Sequence, residues 1–322
     1  MRWYVVRRIL WAMFATYIIL SVTWGLLVIT PNQGVQQLQF QAASSGGSAE
    51  QAKEAYQQAR GLNRPLWVRY TDYMSNMVTG NWGWSESRSQ PVMEAILGAI
   101  PYTALYSVPT TILSIVVGLS IGLYSATHQY TKTDYAATFF AFFGYAIPNF
   151  WFGIILLMIF GVQLNVLPIV FDPDVGFLTV TMAKQLILPV FVLVTGTIAG
   201  IMRYSRSTAL EYVQAEFTKT ARAKGAGESR ILFRHILRPA AVPLVTILIG
   251  DILTIFLAAS YLVEVVFSIP GLGQLSFKAI LAQDTSVVLG TTLIFTFIAI
   301  IGNLFQDLAY TVLDPRIDYG DR

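Results

Sequence analysis

Residues Glu211–Pro239 read EYVQAEFTKTARAKGAGESRILFRHILRP, a polar interruption between two strongly apolar segments. Counted from Arg203, this region carries eight basic residues: Arg203, Arg206, Lys219, Arg222, Lys224, Arg230, Arg234 and Arg238. A short loop so rich in Lys and Arg resists translocation, so it is expected on the cytoplasmic side of a bilayer. Working outward, apolar stretches lie near 9–30, 101–126, 136–161, 186–205, 243–267 and 287–311. Each is long enough to cross a hydrocarbon core of about 30 Å, which takes roughly 20 helical residues. Backbone in lipid must satisfy its own hydrogen bonds, so these stretches are expected as helices. The fold class expected is an all-α integral membrane protein with six transmembrane helices.

Composition agrees with this reading. Apolar residues make up 55% of the 322-residue chain and charged residues 12%, against about 25% charged in soluble domains. Mean hydropathy is +0.57 and the pI about 9.0. The net charge of +3 comes from residues beside apolar spans and not from a basic domain, so it reports topology and no nucleic-acid partner is expected. There is no cysteine, which excludes disulfides and thiolate metal sites. His128 and His235 are the only histidines, too few for a transition-metal centre, and no metal is expected.

Charge also orients the spans. Fourteen of the 21 Lys and Arg fall in the N-terminus, the loop around Lys132, the 203–238 region and the C-terminal tail, whereas the two short opposite loops hold only Lys184 and Lys278. Both termini are therefore expected to be cytoplasmic. Residues 1–30 are expected as a retained anchor helix, 31–100 as an extracytoplasmic segment with short helices, and 101–322 as a core of five spans containing the cytoplasmic loop 206–239. In the outer segment, 32–47 read as a linker, and Ser48-Ala-Glu-Gln51 as a capping box opening a helix that stops at Gly61. Pro65 begins a second helix in which Leu66, Tyr70, Tyr73 and Met77 share a face. This segment reads equally as a cap on the bundle and as a docking surface for a delivery protein.

Within 211–239, Glu211–Lys224 favours helix, Gly225 and Gly227 allow a sharp turn, and Glu228–Leu237 resumes helix until Pro239 ends it. Ala221 and Ala223 offer low-profile surface, while Arg222, Lys224 and Arg230 offer charge-assisted bonds to a partner. The plain alternative is a solvated positive loop. The run Ala221-Arg-Ala-Lys-Gly225, followed by His235 and Pro239, resembles the cytoplasmic coupling loop of ABC-transporter permeases of the dipeptide/oligopeptide class, the first permease type of the pair. Further matches extend this resemblance over roughly 60–322: Gly61-Leu-Asn-Arg-Pro65, Gly80-Asn-Trp-Gly-Trp-Ser85, Val263-Glu-Val-Val-Phe267, Pro270-Gly-Leu-Gly273, Asp284, Asn303, Asp307, Tyr310 and Asp314-Pro-Arg316. Asn63 and Asn81 stand where an acidic residue is more usual, and Lys219-Thr-Ala221 replaces the Glu-Ala-Ala of the broader signature.

The resemblance implies the type I ABC importer permease fold in a prokaryotic cytoplasmic membrane. It implies a second homologous permease, two ATPase subunits or domains that bind ATP and Mg, and an extracytoplasmic substrate-binding protein as partners. The coupling surface it implies is Thr220, Ala221, Arg222, Ala223, Lys224, Gly225, Ala226, Glu228 and Arg230. The cargo implied is di- or oligopeptide, with an oligosaccharide or a metal chelate as alternatives within the family.

Charges at membrane depth are the other candidates. Asp251, inside the fifth span, would cost on the order of 2.5–3.5 kcal/mol at a helix centre, so it should face a helix or an aqueous path. It reads either as a gate or substrate contact or as a buried structural acid. Asn149, beside Pro148, and Glu264 are further candidates for the pathway, with Glu264 and Asp307 expected in solvated or interfacial positions near helix ends. Gly118-x-x-x-Gly122 reads as close helix packing. No phosphate-binding G-x-x-x-x-G-K-[ST] run and no catalytic constellation is present, so no catalytic residue and no cofactor is assigned to this chain. The reading from a different class is an ion-gradient-driven transporter using Asp251, although no inverted repeat is evident.

Overall fold

The computed structural model describes residues 2–29, 47–59, 61–241 and 260–313, with a few isolated positions (39, 42–44, 244, 245 and 248). The elements are α1 (Arg2–Ile29), α2 (Ala49–Ala59), α3 (Leu66–Thr79), a hairpin of β1 (Trp84–Ser85) and β2 (Gln90–Pro91), α4 (Val92–Thr127), α5 (Lys132–Ala146), α6 (Asn149–Leu156), α7 (Val180–Val213), α8 (Glu216–Ala223), α9 (Glu228–Arg230), α10 (Ser260–Val266), α11 (Leu272–Leu281) and α12 (Thr285–Leu313). Wide π-helical turns, Leu157–Gln163 and Ile231–Leu237, extend α6 and α9. Among the described residues four helices are long and apolar enough to cross a membrane, within α1, α4, α7 and α12; the pair α5–α6 makes a fifth if its two arms form one span.

The third span departs from the continuous helix expected over 136–161. The chain turns by 100° between α5 and α6. Pro148 has no N–H for the helical ladder, and its ring pushes the preceding residue out of the helical region; Ile147 accordingly adopts φ −87°, ψ 128°. Most of the expected fifth span, Asp251 included, lies outside the described residues, as does Asp314-Pro-Arg316. The second span begins at Val92 and not near 101. Its 36 residues run about 54 Å at 1.5 Å per residue, longer than the roughly 30 Å of a hydrocarbon core.

The core is built on α4 against α7. Small residues make the contact: a Cβ on Gly122 would lie 2.6 Å from the Met202 carbonyl and the Ser205 side chain, and one on Gly118 would lie 2.8 Å from Ile201. The expected close packing at Gly118 and Gly122 is thus present, as helices in lipid gain contact chiefly by bringing backbones together. Ser114 and Thr197 exchange a hydroxyl bond across the same interface at 2.6 Å.

In the outer segment the cap at Ser48 and the helices starting at Ala49 and Leu66 follow the sequence reading. The α3 face rests on the other helices. Tyr70 hydroxyl meets Ser21 of α1 at 2.7 Å and its ring packs edge-on against Trp24, while Tyr73, Met74 and Met77 pack against the apolar cluster of Leu20, Trp82, Ile96 and Leu275. Leu66, by contrast, is exposed.

Candidate functional site

Helix α7 carries the chain without a break from apolar surroundings into the basic region. It ends at Val213, and after Gln214 and Ala215 the chain restarts as α8. The corner is held by Thr218, fully buried, whose hydroxyl donates to the Tyr212 carbonyl at 2.7 Å. Helix α8 closes through Gly225 N–H to Arg222 carbonyl at 2.9 Å and Ala226 N–H to Ala221 carbonyl at 3.1 Å. Gly225 sits at φ +77°, where a side chain is strained. The helix, turn and helix expected here are therefore present. Pro239, however, does not end the second helix, which continues through Ala241. The wide turn at Ile231–Leu237 precedes the proline and relaxes the ladder at the point where the missing N–H and the ring would break an α-helix.

The loop is seated on the bundle. Ile231 and Ile236 are buried with Leu123 and Ala126 of α4 and Ala209 of α7, and Ala226 packs against them. Of the coupling residues named from sequence, Thr220, Arg222, Ala223, Lys224, Gly225, Glu228 and Arg230 are exposed, whereas Ala221 and Ala226 are half-buried. Ala221 therefore turns partly inward and does not share the open surface with Ala223. Two residues absent from the sequence reading stand out on this face: Phe217 and Phe233 are 49% and 63% exposed. An exposed aromatic among charges supplies apolar contact area to a protein partner. Their signal in the sequence was an apolar residue on the polar side of each short helix.

Glu264 is not solvated or interfacial. It is completely buried, with Oε1 accepting from Thr103 at 2.7 Å and Tyr106 at 2.8 Å and Oε2 accepting from the Gln274 N–H at 2.8 Å. Thr103 Oγ1 in turn accepts the Leu272 N–H at 2.9 Å. The carboxylate thus closes the start of α11 and ties it to α10 and α4, where the free N–H groups of a helix terminus favour negative charge. Gly271 makes the approach feasible, since a Cβ there would press into Glu264 Oε1 and lie 2.5 Å from Thr103 Oγ1.

The remaining candidates stay apart. Asn149 is half-buried at the start of α6, its side chain against Gly196 of α7. Asp307 pairs with Arg8 of α1 at 3.0 Å. Asp134 and Arg206 form an ion pair at 3.0 Å; Asp134 was not singled out from sequence, and Arg206 was counted only as a topological charge. Among the described residues no group of three or more His, Cys, Asp or Glu is arranged to hold a metal.

Residues 114–319 match the family model described as "Binding-protein-dependent transport system inner membrane component". The chain belongs to that family. Curated relatives carry the similarity over nearly its whole length. It is 37% identical over 98% of its residues to the oligopeptide transport system permease protein AppB of Bacillus subtilis, covering 99% of that protein. It is 31% identical, again over 98% of this chain and 99% of the relative, to the dipeptide transport system permease protein DppB of Alkalihalophilus pseudofirmus. Among solved structures, an amino acid ABC transporter chain superposes with a TM-score of 0.52 at 12% identity, covering 68% of this chain and 94% of that one, a likeness of fold alone. The resemblance read from Ala221–Gly225 and from 263–273 is thus to this permease family, and the chain is a multi-pass membrane transport component.

Proposed function

We propose that the chain is one of two permease subunits of an ATP-driven importer for di- or oligopeptides, with its 211–239 loop docked on a separate ATPase. The observation that carries this reading is the loop itself: a rigid helix and turn, bolted to α4 and α7 by Thr218, Ile231 and Ile236, with Arg222, Lys224, Arg230, Phe217 and Phe233 turned outward. Such a surface suits a protein partner, because exposed apolar anchors bind and surrounding charges orient. The names of the curated relatives support peptide as cargo. Binding and hydrolysis of ATP on partner subunits would move α7 and the following span, and the substrate path would run between two permeases, delivered by an extracytoplasmic binding protein in a prokaryotic cell membrane.

The test is copurification in mild detergent followed by reconstitution. ATPase subunits, a second permease and a binding protein should come along, and peptide uptake by the reconstituted complex should require ATP. In the same assay Gly225→Val should insert and assemble but lose uptake while hydrolysis continues, since a β-branched residue at positive φ displaces the turn. Uptake that survives ATP depletion and collapses with the ion gradient would overturn the reading in favour of a gradient-driven carrier.

A further inference from the structure

We propose that Asp134 and Arg206 form the joint that carries motion of the 211–239 loop into the second and third spans, an inference resting on the docking of an ATPase at that loop. Asp134 lies in the first turn of α5 and is 2% exposed. Its carboxylate accepts from three directions: Ser125 Oγ near the end of α4, the Tyr130 N–H of the connecting turn at 3.0 Å, and Arg206 Nη2 of α7 at 3.0 Å. Three helices therefore meet on one buried charge, about two helical turns before α7 gives way to the loop.

The contacts around this joint differ in kind. Helices α4 and α7 are held at backbone level, by the Gly122 approach and by Ser205 Oγ donating to the Leu119 carbonyl at 3.1 Å. Helix α5 meets α7 elsewhere through Ala141, Ala199, Met202 and the close approach of Gly144 to Thr195. These packing contacts carry no charge, so a small shift between the helices strands none. At the joint a shift does, because separating the carboxylate from its donors leaves a charge in a low-dielectric interior. Such pairs add little to stability but fix one arrangement, which a mechanical link requires. Beyond α5 lies the 100° break at Pro148, so displacement of α5 re-aims α6. The joint thus extends the reach of the loop from α7 to the bent span.

The experiment uses the full complex, purified with its partner subunits and reconstituted in vesicles, with peptide uptake and ATP hydrolysis measured on the same preparation. Asp134→Asn should lower peptide imported per ATP roughly fivefold or more, the range of an allosteric coupling, with hydrolysis within about twofold of the parent. Arg206→Gln should uncouple likewise and Arg206→Lys, which keeps the charge, should not. If Asp134→Asn fails to assemble, Ser125→Ala decides, since it removes one bond to the carboxylate and strands no charge: a loss in the uptake-to-hydrolysis ratio of about twofold or more supports the joint and an unchanged ratio overturns it. Uptake and hydrolysis falling by the same factor, or neither falling, overturns the proposal. A parent complex that imports without ATP removes the underlying reading, a result distinct from any of these.

Discussion

Gly271 shows how much one missing side chain decides. Its backbone is ordinary extended chain, at φ −90° and ψ −172°, so no conformational demand selects glycine there. What selects it is space, because Glu264 and Thr103 occupy the volume a Cβ would need. Gly271→Ala should therefore cost about 2 kcal/mol or more, as overpacking a tight interior typically costs 1–3 kcal/mol, and should separate Glu264 from the N-terminus of α11. The check is the thermal midpoint in detergent against Gly227→Ala, at a position with open space and negative φ; equal midpoints would contradict the reading. The Pro-Gly-Leu-Gly motif was legible in the sequence as part of a family pattern. The reason for its glycine was not, because Thr103 is 168 positions away in the chain.

At the scale of elements, the hairpin of β1 and β2 is too short to stand alone and is held by Asp284 at the head of α12. Asp284, 6% exposed, accepts from the Ser85 and Ser87 hydroxyls at 2.7 Å each, from the Ser87 N–H at 3.1 Å and from the Val287 N–H at 3.3 Å. Burial pushes its pKa up, but these four donors outweigh burial and hold it below the usual carboxylate range. A carboxylate depressed in the folded state contributes stability that is complete above its unfolded value, about 3.9, and is lost as the pH falls through the lower folded value. The protection of the amides in residues 84–91, measured against their intrinsic exchange rates, should thus be high at neutral pH and fall below about pH 4. Asp284→Asn should lower that protection at neutral pH and flatten its pH dependence; identical profiles in the two proteins would rule out the clamp. The helices of this region were readable from caps and periodicity at Ser48, Pro65 and Tyr70. The clamp was not, since Ser85 and Asp284 are brought together by packing of distant elements.

For the whole molecule, the expected topology places the 211–239 loop in the cytoplasm and the 164–179 loop outside, following the positive charge. The chain has no cysteine, so single introduced thiols report their side without background. Ser229→Cys, exposed in α9, should react with an impermeant maleimide only after permeabilisation, and Asp174→Cys, in the opposite loop, should react in intact cells. The reverse pattern would invert the orientation of both the loop and any ATPase docked on it. Helix α7 links these two sides as one continuous helix: its 34 residues, with Pro189 inside, span about 51 Å at helical rise.

Composition and periodicity alone determined that this chain is a helical membrane protein, where most of its spans lie, and that 211–239 folds as helix, turn and helix on one face. These follow from local physics: apolar length against bilayer thickness, Lys and Arg excluded from lipid, and glycine at the turn. The break at Pro148, the burial of Glu264 and the pairing of Asp134 with Arg206 were decided only in three dimensions. A proline within a span leaves both a bend and a tolerated kink open, and a lone charge leaves both solvent and a buried partner open. The choice depends on which donors other helices bring within 3 Å, and linear spacing does not encode that.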